Sequence, residues 1–128
     1  MKKVDNFRKA LKNLQELYRY EPPYDAVITA GLCALFSICF EQSWRAMKEV
    51  LAHEGWSEAQ SGSPRQIVKT AFESGLITDE KGWLSMLEAR NLAAHTYNEE
   101  AANLLIQQTK EVYLPLFLEL EKKLDSGE

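Results

Sequence analysis

From Ala26 to Phe40 the chain carries no Asp, Glu, Lys, Arg or His, and this run limits what it can fold into. It is shorter than the ~20 residues a membrane-spanning helix needs, so it is expected to be a buried core helix at the centre of a bundle. The two prolines Pro22-Pro23 stand just before it. A helix should therefore begin near Tyr24-Asp25 and run to about His53, ahead of Gly55. Beyond Phe40 the run becomes amphipathic, through Trp44, Met47 and Leu51.

The other segments repeat the helical period. Val4, Phe7, Leu11, Leu14, Leu17 and Tyr18 recur at three and four and form one apolar stripe. Ser63-Pro64-Arg65-Gln66 reads as an N-cap, a proline at the first helical position and a Gln three after the cap. Ile67, Val68, Ala71 and Phe72 should then face inward until Gly75 stops that helix. Thr78 or Asp79 can cap a fourth helix through Trp83, Met86, Leu87 and Arg90, ending near His95 to Asn98. A last helix is expected from about Glu99 to Leu124, burying Leu104, Leu105, Val112, Leu116 and Leu120 and kinked at Pro115. No strand alternation or internal repeat is visible. With six Gly and four Pro among 128 residues, the chain favours long elements. The expectation is an all-α, four- to five-helix up-and-down bundle forming one domain over residues 1–124, with a frayed tail at 125–128.

Charge and composition narrow the function. The formal net charge is −4, with 45% hydrophobic and 27% charged residues. That balance argues against a general nucleic-acid coat, although overall charge says little about one cleft. Cys33 and Cys39 lie six apart, on different helix faces, and read as small buried thiols of a reducing compartment. The first eight residues lead straight into charge with no apolar signal region. A cytoplasmic protein with no membrane partner is expected. His53 and His95 are far apart and no His/Cys cluster has metal-ligand spacing, so no metal or cofactor is expected. Gly62-Ser63 lacks the paired downstream aspartates of a nucleotidyltransferase, since only Asp79 and Asp125 follow it. The chain is not itself such an enzyme.

One segment concentrates polar chemistry. Arg90 to Asn98 holds an Arg, two Asn, a His and a Tyr. If the helix continues this far, Trp83, Leu87, Arg90, Ala94 and Tyr97 share a stripe, with Asn91, His95 and Asn98 beside it. An unpaired buried Arg is costly, so Arg90 either has a partner or lines a cleft. Glu41, three before Trp44 on what should be a facing helix, is the candidate partner. A capped helix end with a satisfied histidine is the plainer reading of the same residues.

Arg90-Asn91, four residues to His95, then Tyr97, is similar to the Arg-x4-His-x-Tyr motif of HEPN domains, especially the HepT-like branch. Phe40-Glu41-x-x-Trp44, Ser63-Pro64-Arg65, Gly75-Leu76-Ile77 and Trp83-x-x-Met86-Leu87 also resemble the family of nucleotidyltransferase substrate-binding proteins. The likeness runs from about Val4 to Leu120. It implies a helical bundle that pairs as a homodimer beside a minimal nucleotidyltransferase, MntA-like, with RNA or a nucleotide as ligand. It further implies that Arg90 and His95 form a metal-independent ribonuclease pair, that Asn91 assists, and that Tyr97 is adenylylated by the partner. Glu41 would support Arg90. The same resemblance allows a second role, a non-catalytic subunit presenting substrate to the nucleotidyltransferase. Glu88, Glu99 and Glu100 flank the motif, so an RNA groove would borrow its positive charge from Arg45, Lys48, Arg65 or Lys69.

Overall fold

In the computed structural model, which describes residues 1–93 and 98–126, each helix begins or ends where local chemistry requires. Helix α1 spans Lys2–Leu14 and tightens into a 3₁₀ turn at Gln15–Arg19. Asp25 caps α2 (Ala26–His53), accepting from the Ile28 amide at 2.8 Å. Ser63 caps α3 (Pro64–Ser74) through the Gln66 amide, and Gly75 closes it in the left-handed region at φ 85°. Asp79, rather than Thr78, caps α4 (Glu80–Ala93) by accepting from Gly82 N at 2.9 Å. Asn98 caps α5 (Glu99–Gln108). A π-helical turn at Thr109–Tyr113 joins α5 to α6 (Leu114–Ser126). It falls just before Pro115, which has no N–H to give and whose ring would crowd the carbonyl of Glu111. The widened turn takes up that conflict.

The described residues contain no strand; the fold is an all-α up-and-down bundle around α2. Helix α1 packs antiparallel to α2, with Lys3 N donating to Glu49 Oε1 at 3.0 Å. Arg8 ties α1 to Asp125 at the end of α6. The core is an aromatic chain. Trp83 meets Phe117 edge-on at 5.6 Å and Phe40 at 6.3 Å. Phe117 continues to Phe7 and Phe36, and Phe36 to Tyr113. Tilted and edge contacts of this kind add to the area term, because ring edges carry the opposite partial charge to ring faces.

Several expected core positions face solvent instead. Tyr18 is exposed because the 3₁₀ turn rotates it off the α1 stripe. Phe72 is exposed because Thr70 takes the inward place on the short α3, its hydroxyl satisfied by Gln66 O at 3.0 Å. Leu104 and Val112 are exposed, while Leu105 is buried as expected and Ile106 and Tyr113 join it in the core. The largest correction concerns α2. Its uncharged first half is not enclosed: Leu32, Phe36, Cys39 and Phe40 are buried, yet Val27 is 81% and Ile38 52% exposed. Helix α2 is long and apolar enough to cross a membrane by length and composition, but it packs against α1, α3, α4 and α5 as the bundle's central strut.

Candidate functional site

Helix α4 brings Arg90 to α2 because Trp83 and Leu87, its stripe-mates, are anchored in the core. Arg90 Nη1 donates to Glu41 Oε1 at 3.0 Å. The guanidinium also lies over the Phe40 ring, 5.6 Å from its centre. Glu41 does not serve Arg90 alone. Its other oxygen, Oε2, accepts from Arg45 Nε at 2.9 Å, and Arg45 lies over Trp44 at 5.0 Å. One carboxylate thus orients two guanidiniums, each backed by an aromatic face. The side chains of Arg90 and Glu41 are 26% and 30% exposed, and that of Arg45 45%. The buried Arg90 Nε has no hydrogen-bond partner among the described residues.

Asn91 is exposed on the last turn of α4. Asn98 is not on that helix's stripe. It sits in extended backbone and accepts from Glu100 N at 2.8 Å and Ala101 N at 3.2 Å, opening α5. His95 and Tyr97, expected to share the site, lie outside the described residues. Glu88, Glu99 and Glu100 are all exposed.

Beside these residues runs a groove of about 720 Å³ between the first half of α2, the end of α4 and α5. Ala30, Ala34 and Ser37 of α2 form one wall, Ala89 and Leu92 of α4 another, and Leu104 and Leu105 of α5 the third. Cys33 lies in it, its thiol directed at Ala102 O at 3.9 Å, and burial raises that thiol's pKa. Sequence reasoning missed the groove. The signal was present: a run apolar all round has more apolar surface than one core can cover. His53, at the end of α2, is exposed and apart from this region. Among the described residues no group of His, Cys, Asp and Glu could hold a metal ion.

The family model described as "Nucleotidyltransferase substrate binding protein like" matches residues 2–126. A curated relative, the probable ribonuclease HepT of Haemophilus influenzae, is 30% identical over 77 residues. That match covers 59% of this chain and spans about half of the relative, 53% of its length. A crystal structure of a protein from Thermus thermophilus superposes with a TM-score of 0.82 at 28% identity, covering 92% of this chain and 98% of that one. HI0074 from Haemophilus influenzae, whose structure is described as the fold of a substrate binding domain of a nucleotidyltransferase, superposes at 0.80. It is 21% identical over 95% of this chain and 98% of its own, a likeness of fold.

Proposed function

For a chain that belongs to the nucleotidyltransferase substrate binding protein-like family, we infer a HepT-like HEPN subunit that partners a minimal nucleotidyltransferase in a toxin–antitoxin-type pair and cuts RNA without a metal. The observation that carries this reading is the Glu41-oriented Arg90, held half-buried beside an open groove just ahead of His95 in the chain. In the proposed reaction the RNA 2′-oxygen attacks the adjacent phosphorus and its proton passes to an imidazole. The bond to the 5′-oxygen breaks, a second imidazole protonates that oxygen, and a 2′,3′-cyclic phosphate and a 5′-hydroxyl result. A histidine with its free pKa near ~6.5 can carry either proton at neutral pH. Arg90 would stabilise the charge gathering on the phosphoryl oxygens, with Asn91 assisting. Each chain offers one such His95, so a homodimer supplies both imidazoles. The groove and the exposed Val27, Ile38 and Leu104 supply an apolar face for that pairing. Adenylylation of Tyr97, two residues past His95, would place a bulky anion in the RNA path. The cytoplasm is the compartment where such a pair meets RNA.

The second reading, a non-catalytic subunit that presents a nucleotide to the nucleotidyltransferase, draws on the groove itself. Its volume falls in the range of small-molecule sites, ~300–1,000 Å³. One assay separates the two: incubation of total RNA and tRNA in EDTA with wild type, His95→Ala and Arg90→Ala. The ribonuclease reading expects cutting by wild type and a loss of at least ~100-fold in both variants. A folded dimer that cuts nothing would move the assignment to the binding subunit.

A further inference from the structure

The charge at the α2–α4 contact does not close. Glu41 supplies one negative charge to two guanidiniums, those of Arg45 and Arg90. Both cations are partly withdrawn from water, where an uncompensated charge is costly. Neither has another acidic partner among the described residues. The bonds to Glu41 engage Nε of Arg45 and Nη1 of Arg90. No hydrogen bond to a described residue occupies the two terminal nitrogens of Arg45, and its side chain is 45% exposed. The guanidinium is not a loose surface cation, because Glu41 holds one edge and the Trp44 ring backs one face.

We propose that Arg45, held by Glu41 and Trp44 beside Arg90, binds a phosphodiester of single-stranded RNA next to the one that is cut. A planar guanidinium fork matches two phosphate oxygens, and a phosphodiester monoanion supplies the one negative charge the cluster lacks. The identity of the ligand rests on the ribonuclease reading. Arg45 acts as a binding residue, and Glu41 as the positioning residue for both arginines.

The test uses the full chain and a fluorescent 2′-O-methyl oligoribonucleotide, which has no free 2′-hydroxyl to attack with and so reports binding alone. Arg45→Gln is expected to weaken binding on the order of 5–10-fold and to flatten the log–log salt dependence by about 0.7, the value of one lost phosphate contact on a single strand. Arg45→Lys, which keeps the charge and loses the fork, should retain the salt slope while binding more weakly than wild type. Arg19→Gln removes the same charge from the surface 3₁₀ turn and should leave affinity unchanged. The proposal is overturned if wild type does not bind the oligonucleotide, if Arg45→Gln keeps both affinity and slope, or if Arg19→Gln weakens binding as much. Cleavage of unmodified RNA in parallel separates the two ideas. No cleavage with the Arg45 effect intact removes the ribonuclease reading and keeps the phosphate site, whereas cleavage with no Arg45 effect does the reverse.

Discussion

At the scale of single residues, the ionisable groups divide between those with partners and those pressed by burial. Arg90 gained Glu41, and the contact was legible because Glu41 ends an uncharged run and Arg90 follows two core anchors. That Glu41 also takes Arg45 was open to the same reading, since the two are four apart on a helix. Glu121 stands differently. Burial raises its carboxyl pKa, the Asp125 carboxylate raises it further, and Arg8 opposes both. The folded state therefore holds this proton more tightly than the unfolded chain. The stabilisation is complete below the ordinary carboxylate pKa, ~4.3, and fades as pH rises through the folded value. Glu121→Gln is expected to have a higher urea midpoint than wild type at pH 7.5, with the gap shrinking toward pH 4. A variant that is less stable at pH 7.5 would show that the carboxylate makes a favourable contact there. Cys39 is also pushed upward, by burial and then by Glu121, and both cysteines are free thiols. For both cysteines burial favours the protonated thiol, which suits packing rather than redox work.

At the scale of elements, boundaries followed chemistry that is local in sequence. Asp25, Ser63, Asp79 and Asn98 each place a side-chain oxygen on amides at a helix start, and Gly75 ends α3 with a positive φ. A Cβ at Gly75 would meet no neighbouring atom within 4 Å, so its cost is backbone strain alone. Gly75→Ala should lower unfolding free energy by about 1–2 kcal/mol with no change in the urea m-value. An unchanged midpoint would mean that the turn relaxes out of the left-handed region. Pro115 was expected to kink the last helix, but the sequence does not say how. The π turn at Thr109–Tyr113 keeps the chain helical and rotates the face that follows. This is one reason Val112, inside the turn, points outward although its spacing matched the core positions.

At the scale of the molecule, the exposed face of α2 and the adjoining groove are the features that the bundle leaves uncovered. Val27, Ile38, Leu92 and Leu104 are large apolar side chains at the surface around the groove or on the face beside it. Exposed apolar clusters of this kind mark interaction surfaces. A homodimer through this face is the expected outcome in sedimentation equilibrium. Ile38→Asp and Leu104→Lys should each shift the protein toward monomer while leaving its helical circular dichroism intact. A wild-type chain that is monomeric at micromolar concentration would overturn the homodimer, and variants that remain dimeric would place the interface elsewhere.

The amino-acid sequence alone determined the helices, their caps and most of the aromatic core, because these depend on side chains within four residues of each other and on one apolar period. It also carried the family's motif and the residues about which the chemistry is argued. Tertiary structure decided which apolar faces found a partner. The Ala26–Phe40 run reads as wholly buried in sequence, since periodicity registers apolar surface and not the number of neighbours available to cover it. The helices packed around α2 cover only part of that run among the described residues; part of the remainder lines the groove, and Val27 and Ile38 stay exposed outside its lining. Packing also closed the Glu41–Arg90 contact, because that guanidinium arrives from 49 positions away in sequence, whereas Arg45 lies one turn along the same helix as Glu41.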